Sequence, residues 1–277
     1  MHFVEKLLAI NHRYVFLITA IAVILPMVFE VKLPTITSPP VESLYKEIES
    51  LAPDSRIILS FDYDPASEAE LHPMAEALLH HCFRRNIRVF GMTMNLQGQN
   101  LGAEVFPRIA EQYGIKDDGT RWVYAGFRIG PVLLQIGEKF IEVFQTDFGG
   151  RDLRELPMMD GVKNLQQFEL CISLSGTSIG YSWISLPGTR YNKKIAVGVT
   201  GVLVPGFYPY LQSGQLVGMI PALKGAAEYE DLLDLEGGRG KQGMGSQSAA
   251  HMLIILLIII GNILYFVKKR HDAQMGR

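Results

Sequence analysis

The fold is decided by the stretch RIILSFDYDPASEAELHPMAEALLHHCFRRNIRVFGMTM, residues 56–94. Its first part, RIILSFD, is a continuous apolar run, which is typical of a strand that is buried on both faces. A helix is predicted over SEAELHPMAEALLHHCFRRN, and a second apolar strand over NIRVFGMTM. A buried strand, a helix and another buried strand in succession indicate a βαβ unit with parallel strands.

The same alternation continues along the chain. Further strands are predicted in RWVYAGF, PVLLQIG, FELCISL, KKIAVGV and QLVGMI, and further helices in NLGAEVFPRIAEQYG and LKGAAEYEDLLDL. Because these strands are apolar throughout, both faces of the sheet are expected to be covered by helices. The sequence therefore predicts an α/β fold, a three-layer Rossmann-like sandwich with a mostly parallel sheet.

Two apolar segments flank this region. The first contains YVFLITAIAVILPMVF, and a transmembrane helix is expected over about residues 14–31; the second is AAHMLIILLIIIGNILYFV, residues 249–267. Each is close to the roughly 20 residues that cross a bilayer as a helix. The alternative for both is a buried core helix, and for the first also a cleaved signal peptide. The large residues in PMVFEVKLP favour an uncleaved anchor over a signal peptide.

These features predict the following division of the chain. Residues 1–34 hold a cytoplasmic N terminus and the first membrane helix, residues 35–55 a stalk and a short helix, and residues 56–236 the α/β domain. Residues 237–248, rich in Gly and Ser, are expected to be a flexible tether. Residues 249–267 form the second membrane helix, and residues 268–277 a basic cytoplasmic tail.

Lysine and arginine residues near the spans predict the orientation, because cytoplasmic flanks carry the excess of positive residues. Six lie in residues 1–13 and 268–277, and four lie on the inner flanks, at 32, 46, 239 and 241. Both termini are therefore expected in the cytoplasm and the α/β domain outside it. The opposite orientation, with a cytosolic domain, is the alternative.

Composition excludes several classes of protein. Lys and Arg number 26 against 28 Asp and Glu, a net charge of −2, so the positive surface that nucleic-acid binding requires is not expected. Two cysteines, Cys82 and Cys171, are too few for a disulfide scaffold or a four-cysteine zinc site. Whether these two form a disulfide with each other stays open, because the sequence does not give their separation.

Two carboxylates, Asp62 and Asp64, follow the first predicted strand in the sequence FDYDP. Carboxylates at the end of a strand suit Mg²⁺ or Mn²⁺. The Asp-x-Asp pattern resembles that of haloacid-dehalogenase phosphatases and of many glycosyltransferases, over three residues only. The resemblance implies a metal-dependent phosphoryl- or glycosyl-transfer enzyme, and no other cofactor is expected. The alternative is that Asp64 stabilises the turn before the next helix.

A loop of small residues follows the strand FELCISL, and an aromatic segment follows KKIAVGV. The candidate ligand-binding residues are Ser175, Gly176, Thr177, Ser178, Tyr208 and Tyr210. Amides in a turn of small residues can face a ligand, and aromatic side chains can line a groove or pack a short helix onto the sheet. The long irregular stretch 146–166 is interpreted as a binding loop or a cover.

The sequence Gly-Thr-Ser-Ile-Gly around Ser178 matches the nucleophile turn of α/β hydrolases. That catalytic triad requires a histidine after the serine. Only His251 and His271 follow Ser178; His251 is at the start of the second apolar segment and His271 is on its far side, so neither is expected to reach the serine. The order of residues therefore argues against a serine hydrolase.

Inside the second apolar segment, Gly261 and Asn262 interrupt a run of large aliphatic residues. An amide within a membrane helix commonly bonds a neighbouring helix, and an adjacent glycine permits close approach. These two residues are the candidate contact with the first span or with another membrane protein.

The chain resembles uncharacterised two-span bacterial membrane proteins. The resemblance rests on SFDYDPASEAELHPMAEALLHHCFRRNIRVFGMTM, residues 60–94, and on YLQSGQLVGMIPALKGAAEYE, residues 210–230. It implies a membrane-anchored α/β protein and transfers no site residue.

The leading functional hypothesis is a non-enzymatic component of a larger membrane assembly, with other membrane protein subunits as partners. The second is a module that binds or senses a small solute. The third is the metal-dependent transferase that would use Asp62 and Asp64.

Overall fold

The computed structural model describes residues 10–29, 36–274 and 276. The end of the first predicted span and the start of the predicted stalk fall in residues 30–35, outside the described residues. The chain forms two compact units. One is residues 35–240, and the other comprises residues 1–34 and 241–277.

Six parallel strands form one sheet in residues 35–240. They are β1 Arg56–Asp62, β2 Arg88–Thr93, β3 Trp122–Phe127, β4 Leu170–Ser175, β5 Lys194–Val199 and β6 Gly218–Pro221. Their order across the sheet is β3-β2-β1-β4-β5-β6, which is the order of the Rossmann-like doubly wound fold. The prediction of an α/β fold with a parallel sheet is confirmed.

The described residues contain ten helices. They are α1 His12–Val28, α2 Pro39–Glu49, α3 Glu68–Arg84, α4 Gln99–Gln112, α5 Val132–Gln135, α6 Phe140–Phe144, α7 Ile179–Trp183, α8 Val204–Gln212, α9 Ala222–Leu232 and α10 Arg239–Gln274. A wider helical turn, Ile184–Arg190, continues α7. The strand expected in PVLLQIG is wrong, because residues 132–135 form α5. A short apolar run does not distinguish a strand from a buried helical turn by its periodicity.

The sheet separates two apolar cores, so the three-layer arrangement is also confirmed. Side chains of β1 alternate between them: Ile57 and Leu59 face the core covered by α2, α3, α4 and α9, and Ile58 faces the core covered by α5 to α8. Cys82 belongs to the first core and Cys171 to the second. Both thiols are buried and free, which answers the open question about their pairing.

The irregular stretch 146–166 covers the second core. Short helical turns at Leu153–Glu155, Pro157–Met159 and Leu165–Gln167 lie in or beside this stretch. They bury Leu153, Met158 and Leu165. Of the two interpretations of this stretch, these contacts support the cover.

Helix α10 contains a stretch, Arg239–His271, that is long and apolar enough to cross a membrane by length and composition. Helix α1 has 17 residues, about 25 Å at 1.5 Å per residue, which is short of a typical hydrocarbon core of ~30 Å. Residues 239–248, expected to be a flexible tether, are instead the beginning of α10. Extending a helix that has already formed requires no new nucleation, so the apolar helix continues into this Gly-rich segment.

Candidate functional site

Strand order reverses between β1 and β4, and a doubly wound sheet forms its ligand crevice at the carboxyl ends of such a pair. Asp62 ends β1 and lies opposite Ser175, the last residue of β4. Two residues that the sequence singled out separately therefore meet at this point of the sheet.

The Asp62 carboxylate is fully buried and is surrounded by donors. Oδ1 accepts hydrogen bonds from Ser60 Oγ at 2.7 Å and from the Met94 N–H at 2.9 Å. Oδ2 accepts from Ser173 Oγ at 2.8 Å and from Trp183 Nε1 at 2.9 Å. Burial raises the pKa of Asp62, and the four donors act in the opposite direction. The carboxylate thus joins β1, β4, α7 and the residue after β2.

Asp64 has a different partner. Its Oδ1 accepts the Ser67 N–H at 3.0 Å, which holds the turn that leads into α3. Within the part of the chain that the structure describes, no group of three or more His, Cys, Asp or Glu side chains is placed to hold a metal ion. The Ser67 contact favours the alternative in which Asp64 stabilises the turn. A metal ion shared by Asp62 and Asp64 stays a prediction, and these contacts do not support it.

The predicted ligand loop is bonded to itself. Ser175 Oγ donates to the Thr177 carbonyl at 2.9 Å and accepts the Thr177 N–H at 3.2 Å. A Cβ on Gly176 would lie 2.5 Å from Ser67 Oγ, so the loop packs directly against the start of α3. Ser178 is exposed and precedes α7. The Thr177 amide of this turn is therefore already bonded to the Ser175 hydroxyl group.

The aromatic segment packs α8 onto α7. Phe207 is fully buried and stacks on Tyr181, with 4.2 Å between ring centroids. The ring of Tyr210 also packs against Tyr181, with 5.7 Å between ring centroids. Tyr208 is exposed. Tyr210 therefore packs the short helix α8 against α7, which was one of the two interpretations of this segment. Of the two predicted tyrosines, only Tyr208 is exposed to a ligand.

A groove that the sequence did not predict lies beside α3, α4 and the chain after α9, and its volume is about 600 Å³. Its charged and polar lining includes Glu76, Arg84, Arg108, Tyr113, Asp234 and Arg239. Glu76 is the centre of this lining. It forms an ion pair with Arg108 and faces Arg239 Nη1 at 3.4 Å. Arg108 Nε is buried and has no hydrogen-bond partner among the described residues.

Two histidines of α3 lie beside Glu76 or the groove: His72 Nε2 is 3.6 Å from Glu76 Oε1, and His80 lines the groove. His72 Nδ1 contacts the Tyr63 hydroxyl at 3.0 Å, and His80 Nδ1 contacts the Tyr113 hydroxyl at 2.8 Å. Burial lowers the pKa of both imidazoles. His72 and His81 are almost fully buried. Their partners come from distant parts of the chain, such as Tyr229 for His81, so the spacing along α3 could not reveal them.

No family model, curated protein or solved structure matches this chain. Its fold and its carboxyl-terminal helix define an α/β protein with a Rossmann-like parallel sheet and, among the described residues, one helix long and apolar enough to cross a membrane.

Proposed function

We propose that this protein is a membrane-anchored, non-enzymatic component of a larger membrane assembly. The observation that carries the proposal is the pair Gly261 and Asn262 inside the apolar part of α10. Asn262 Nδ2 donates to the Ile258 carbonyl of its own helix at 2.8 Å, and the position of a Gly261 Cβ is open space. A small residue beside an amide is the surface on which membrane helices associate.

The two apolar segments act as two anchors in this proposal, with helix α1 as the first span. The distribution of lysine and arginine favours cytoplasmic termini and a domain outside the cytoplasm. Cysteine substitutions at exposed Ala52 and at Gly276 test this orientation in intact cells, with a thiol reagent that does not cross membranes. Labelling of Ala52→Cys but not of Gly276→Cys is expected. The reverse pattern would contradict the orientation.

The contacts of Asp62 indicate a structural role for this carboxylate within the domain. Its four hydrogen-bond donors belong to the protein itself. A carboxylate with this environment stabilises the junction between β1 and β4. The residues at the reversal of strand order are thus used in holding the sheet together.

Native mass measurement of the protein, purified from its own membranes in mild detergent, tests the proposal. The expected result is a complex with additional polypeptides in fixed stoichiometry. Gly261→Leu and Asn262→Leu should release these polypeptides, because a large side chain prevents close approach and the amide is removed. Ile259→Leu is the matched control, since it keeps size and polarity at a neighbouring exposed position. A single-chain mass for the parent protein would contradict the proposal.

The groove beside α3 favours the second candidate function, a module that binds a small solute. Arg84, Arg108 and Arg239 line it together with acidic side chains, so a solute carrying both a carboxylate and an amine or hydroxyl groups has complementary partners. A thermal-shift screen of the full chain with amino acids and sugar acids tests this candidate. Stabilisation that is lost in Arg108→Gln and retained in exposed Arg154→Gln would support it, and no stabilisation by any of these solutes would contradict it.

A further inference from the structure

The groove beside α3 contains a guanidinium group that comes from the end of the α/β unit. Arg239 is the first residue of α10 and belongs, with Gly240, to the unit of residues 35–240. Its Nη1 lies 3.4 Å from Glu76 Oε1. The side chain of Glu76 is 12% exposed, whereas that of Arg239 is 55% exposed. A mostly buried carboxylate in the groove therefore has an exposed cation of the chain as one of its partners.

The two arginine partners of Glu76 are held differently. Arg108 Nη2 donates a hydrogen bond to Glu76 Oε1 and also lies 3.4 Å from His72 Nε2. Arg239 makes a longer ion pair with the same oxygen. Exposed ion pairs contribute little to stability, because water and salt screen them. Arg239 is therefore the partner of Glu76 that another cation can replace at low cost.

The segment that carries Arg239 is rich in glycine. Residues 236–240 read Glu-Gly-Gly-Arg-Gly, and ordering a glycine costs more backbone freedom than ordering any other residue. The Gly240 N–H donates to Glu230 Oε1 at 2.8 Å and attaches the segment to α9. The ion pair of Arg239 with Glu76 attaches it to α3. Loss of that ion pair is therefore expected to loosen residues 236–240.

Arg239 also lies where two cavities meet along α3. The groove is lined on α3 by residues from Glu76 to Arg84. A second cavity of about 300 Å³ is lined on the same helix by residues from Glu68 to Pro73. Arg239 lines both cavities. A cationic side chain at this junction, beside a mostly buried carboxylate, occupies the position that the cation of a bound solute would take.

Arg84 defines where the other charge of such a solute would bind. Its Nε donates to the Tyr113 hydroxyl at 3.1 Å, and its Nη1 donates to the Leu233 carbonyl, so its guanidinium group is held in place in the groove. Guanidinium groups are suited to binding carboxylates. Arg84 follows Glu76 by eight residues on α3, a rise of about 12 Å along the helix. A solute that pairs with both residues therefore carries its cation and its carboxylate at opposite ends of a flexible chain.

We propose that Arg239 occupies the cation subsite of this groove in the free protein, and that an amino acid with a terminal ammonium group displaces it from Glu76. The carboxylate of the solute then pairs with Arg84, and residues 236–240 are released. This inference rests on the second candidate function, the module that binds a small solute. Arg239 is a competitor of the solute in this arrangement.

Binding of L-lysine to the full chain in mild detergent, measured by calorimetry, tests the competition. Arg239→Gln removes the competing charge and should bind L-lysine up to about fivefold more tightly, since exposed ion pairs are worth no more than that factor. Exposed Arg154→Gln, which removes an ion pair with Asp152, is the matched control and should bind like the parent. Nε-acetyl-L-lysine lacks the terminal charge and should not bind. Equal or weaker binding of L-lysine by Arg239→Gln would overturn the proposal.

Hydrogen exchange of the amides in residues 236–240, followed by mass spectrometry, tests the release. Saturating L-lysine should speed exchange of this segment in the parent, and in Arg239→Gln exchange should already be fast without the solute. Unchanged or slower exchange in the parent with L-lysine bound would contradict the displacement.

The two levels of the proposal fail in different ways. If solutes without a terminal ammonium group stabilise the chain and L-lysine does not bind, only this inference is wrong. If neither L-lysine nor any other amino acid or sugar acid binds to the parent or to Arg239→Gln, the second candidate function is wrong as well.

Discussion

Replacement of Asp62 by Asn tests the role of the buried carboxylate. Asn keeps the shape of Asp but has one acceptor oxygen and one NH₂ donor. If the NH₂ occupies the Oδ1 position, it faces the Met94 N–H, and if it occupies the Oδ2 position, it faces Trp183 Nε1. Ser60 and Ser173 can reverse their roles and accept, but these two N–H groups cannot. In either orientation one buried donor loses its partner.

An unsatisfied buried donor costs about 1–3 kcal/mol in the free energy of unfolding. For a folded unit of this size, 1 kcal/mol corresponds to a fall in Tm of roughly 2–4 °C. Asp62→Asn is therefore expected to lower Tm by about 2–12 °C. The measurement is thermal unfolding of the full chain in mild detergent, followed by far-UV circular dichroism. Asp64→Asn is the matched control, because its oxygen can still accept the Ser67 N–H, and its Tm should stay close to that of the parent.

A double-mutant cycle with Trp183→Phe identifies the cause. Phe removes the indole N–H, so in that background the amide introduced by Asp62→Asn can point its NH₂ towards position 183 without leaving a donor unsatisfied. Asp62→Asn should then destabilise less than in the parent, by a coupling of about 1–3 kcal/mol. The loss of Trp183 packing occurs on both sides of the cycle and cancels. Equal losses in the two backgrounds, or an unchanged Tm for Asp62→Asn, would refute the assigned hydrogen bonds.

Three further predictions concern pH, loop packing and the chain ends. Three histidines of α3 have pKa values lowered by burial, namely His72, His80 and His81. Below the unfolded pKa of about 6.5 the unfolded chain binds more protons at these histidines than the folded chain does. Their contribution to the free energy of unfolding is therefore complete above that pH and is lost as pH falls towards the lowered folded pKa values. Tm measured from pH 8 to 5 should fall in that window, and a Tm that does not change with pH would contradict the prediction. Gly176→Ala should cost about 1–3 kcal/mol through its clash with Ser67, and Ser67→Gly should restore much of that loss in unfolding experiments; no rescue would show that the clash is not the cause. Glu228→Gln should weaken the attachment of Ser38 and increase cleavage by protease before α2, whereas the exposed control Glu111→Gln should not, and equal cleavage rates would contradict an anchoring role.

The structure corrects the sequence-based view of the site in a consistent way. FDYDP suggested that Asp62 and Asp64 act together, yet one carboxylate is a buried acceptor and the other closes a turn. The strand β1 ends at Asp62. Asp64 therefore lies in the turn beyond it, where the alternation that would place residues two apart on one face of the sheet no longer holds. Two hydrogen-bond donors of Asp62 come from distant parts of the chain: Ser173 is 111 residues away and Trp183 is 121 residues away. No local pattern marks them.

What the sequence determined by itself is the succession of strands and helices and the apolar ends of the chain. Continuous apolar runs such as those of β1 and β4 are local signals, because a strand covered on both faces consists mostly of apolar residues. The same holds for residues 249–267, whose length and composition suit a membrane helix. A short run such as PVLLQIG carries no comparable signal, and its residues became the helical turn α5.

Tertiary structure alone decided the order of the strands, the burial of His72 and His81, and the groove around Glu76. Each depends on which distant segments come together. The ion pair of Glu76 with Arg108 joins α3 to α4, and its approach to Arg239 joins α3 to the chain after α9. Charged side chains of this kind look like a solvated helix face in the sequence, since their burial depends on surfaces that exist only after the helices have packed on the sheet.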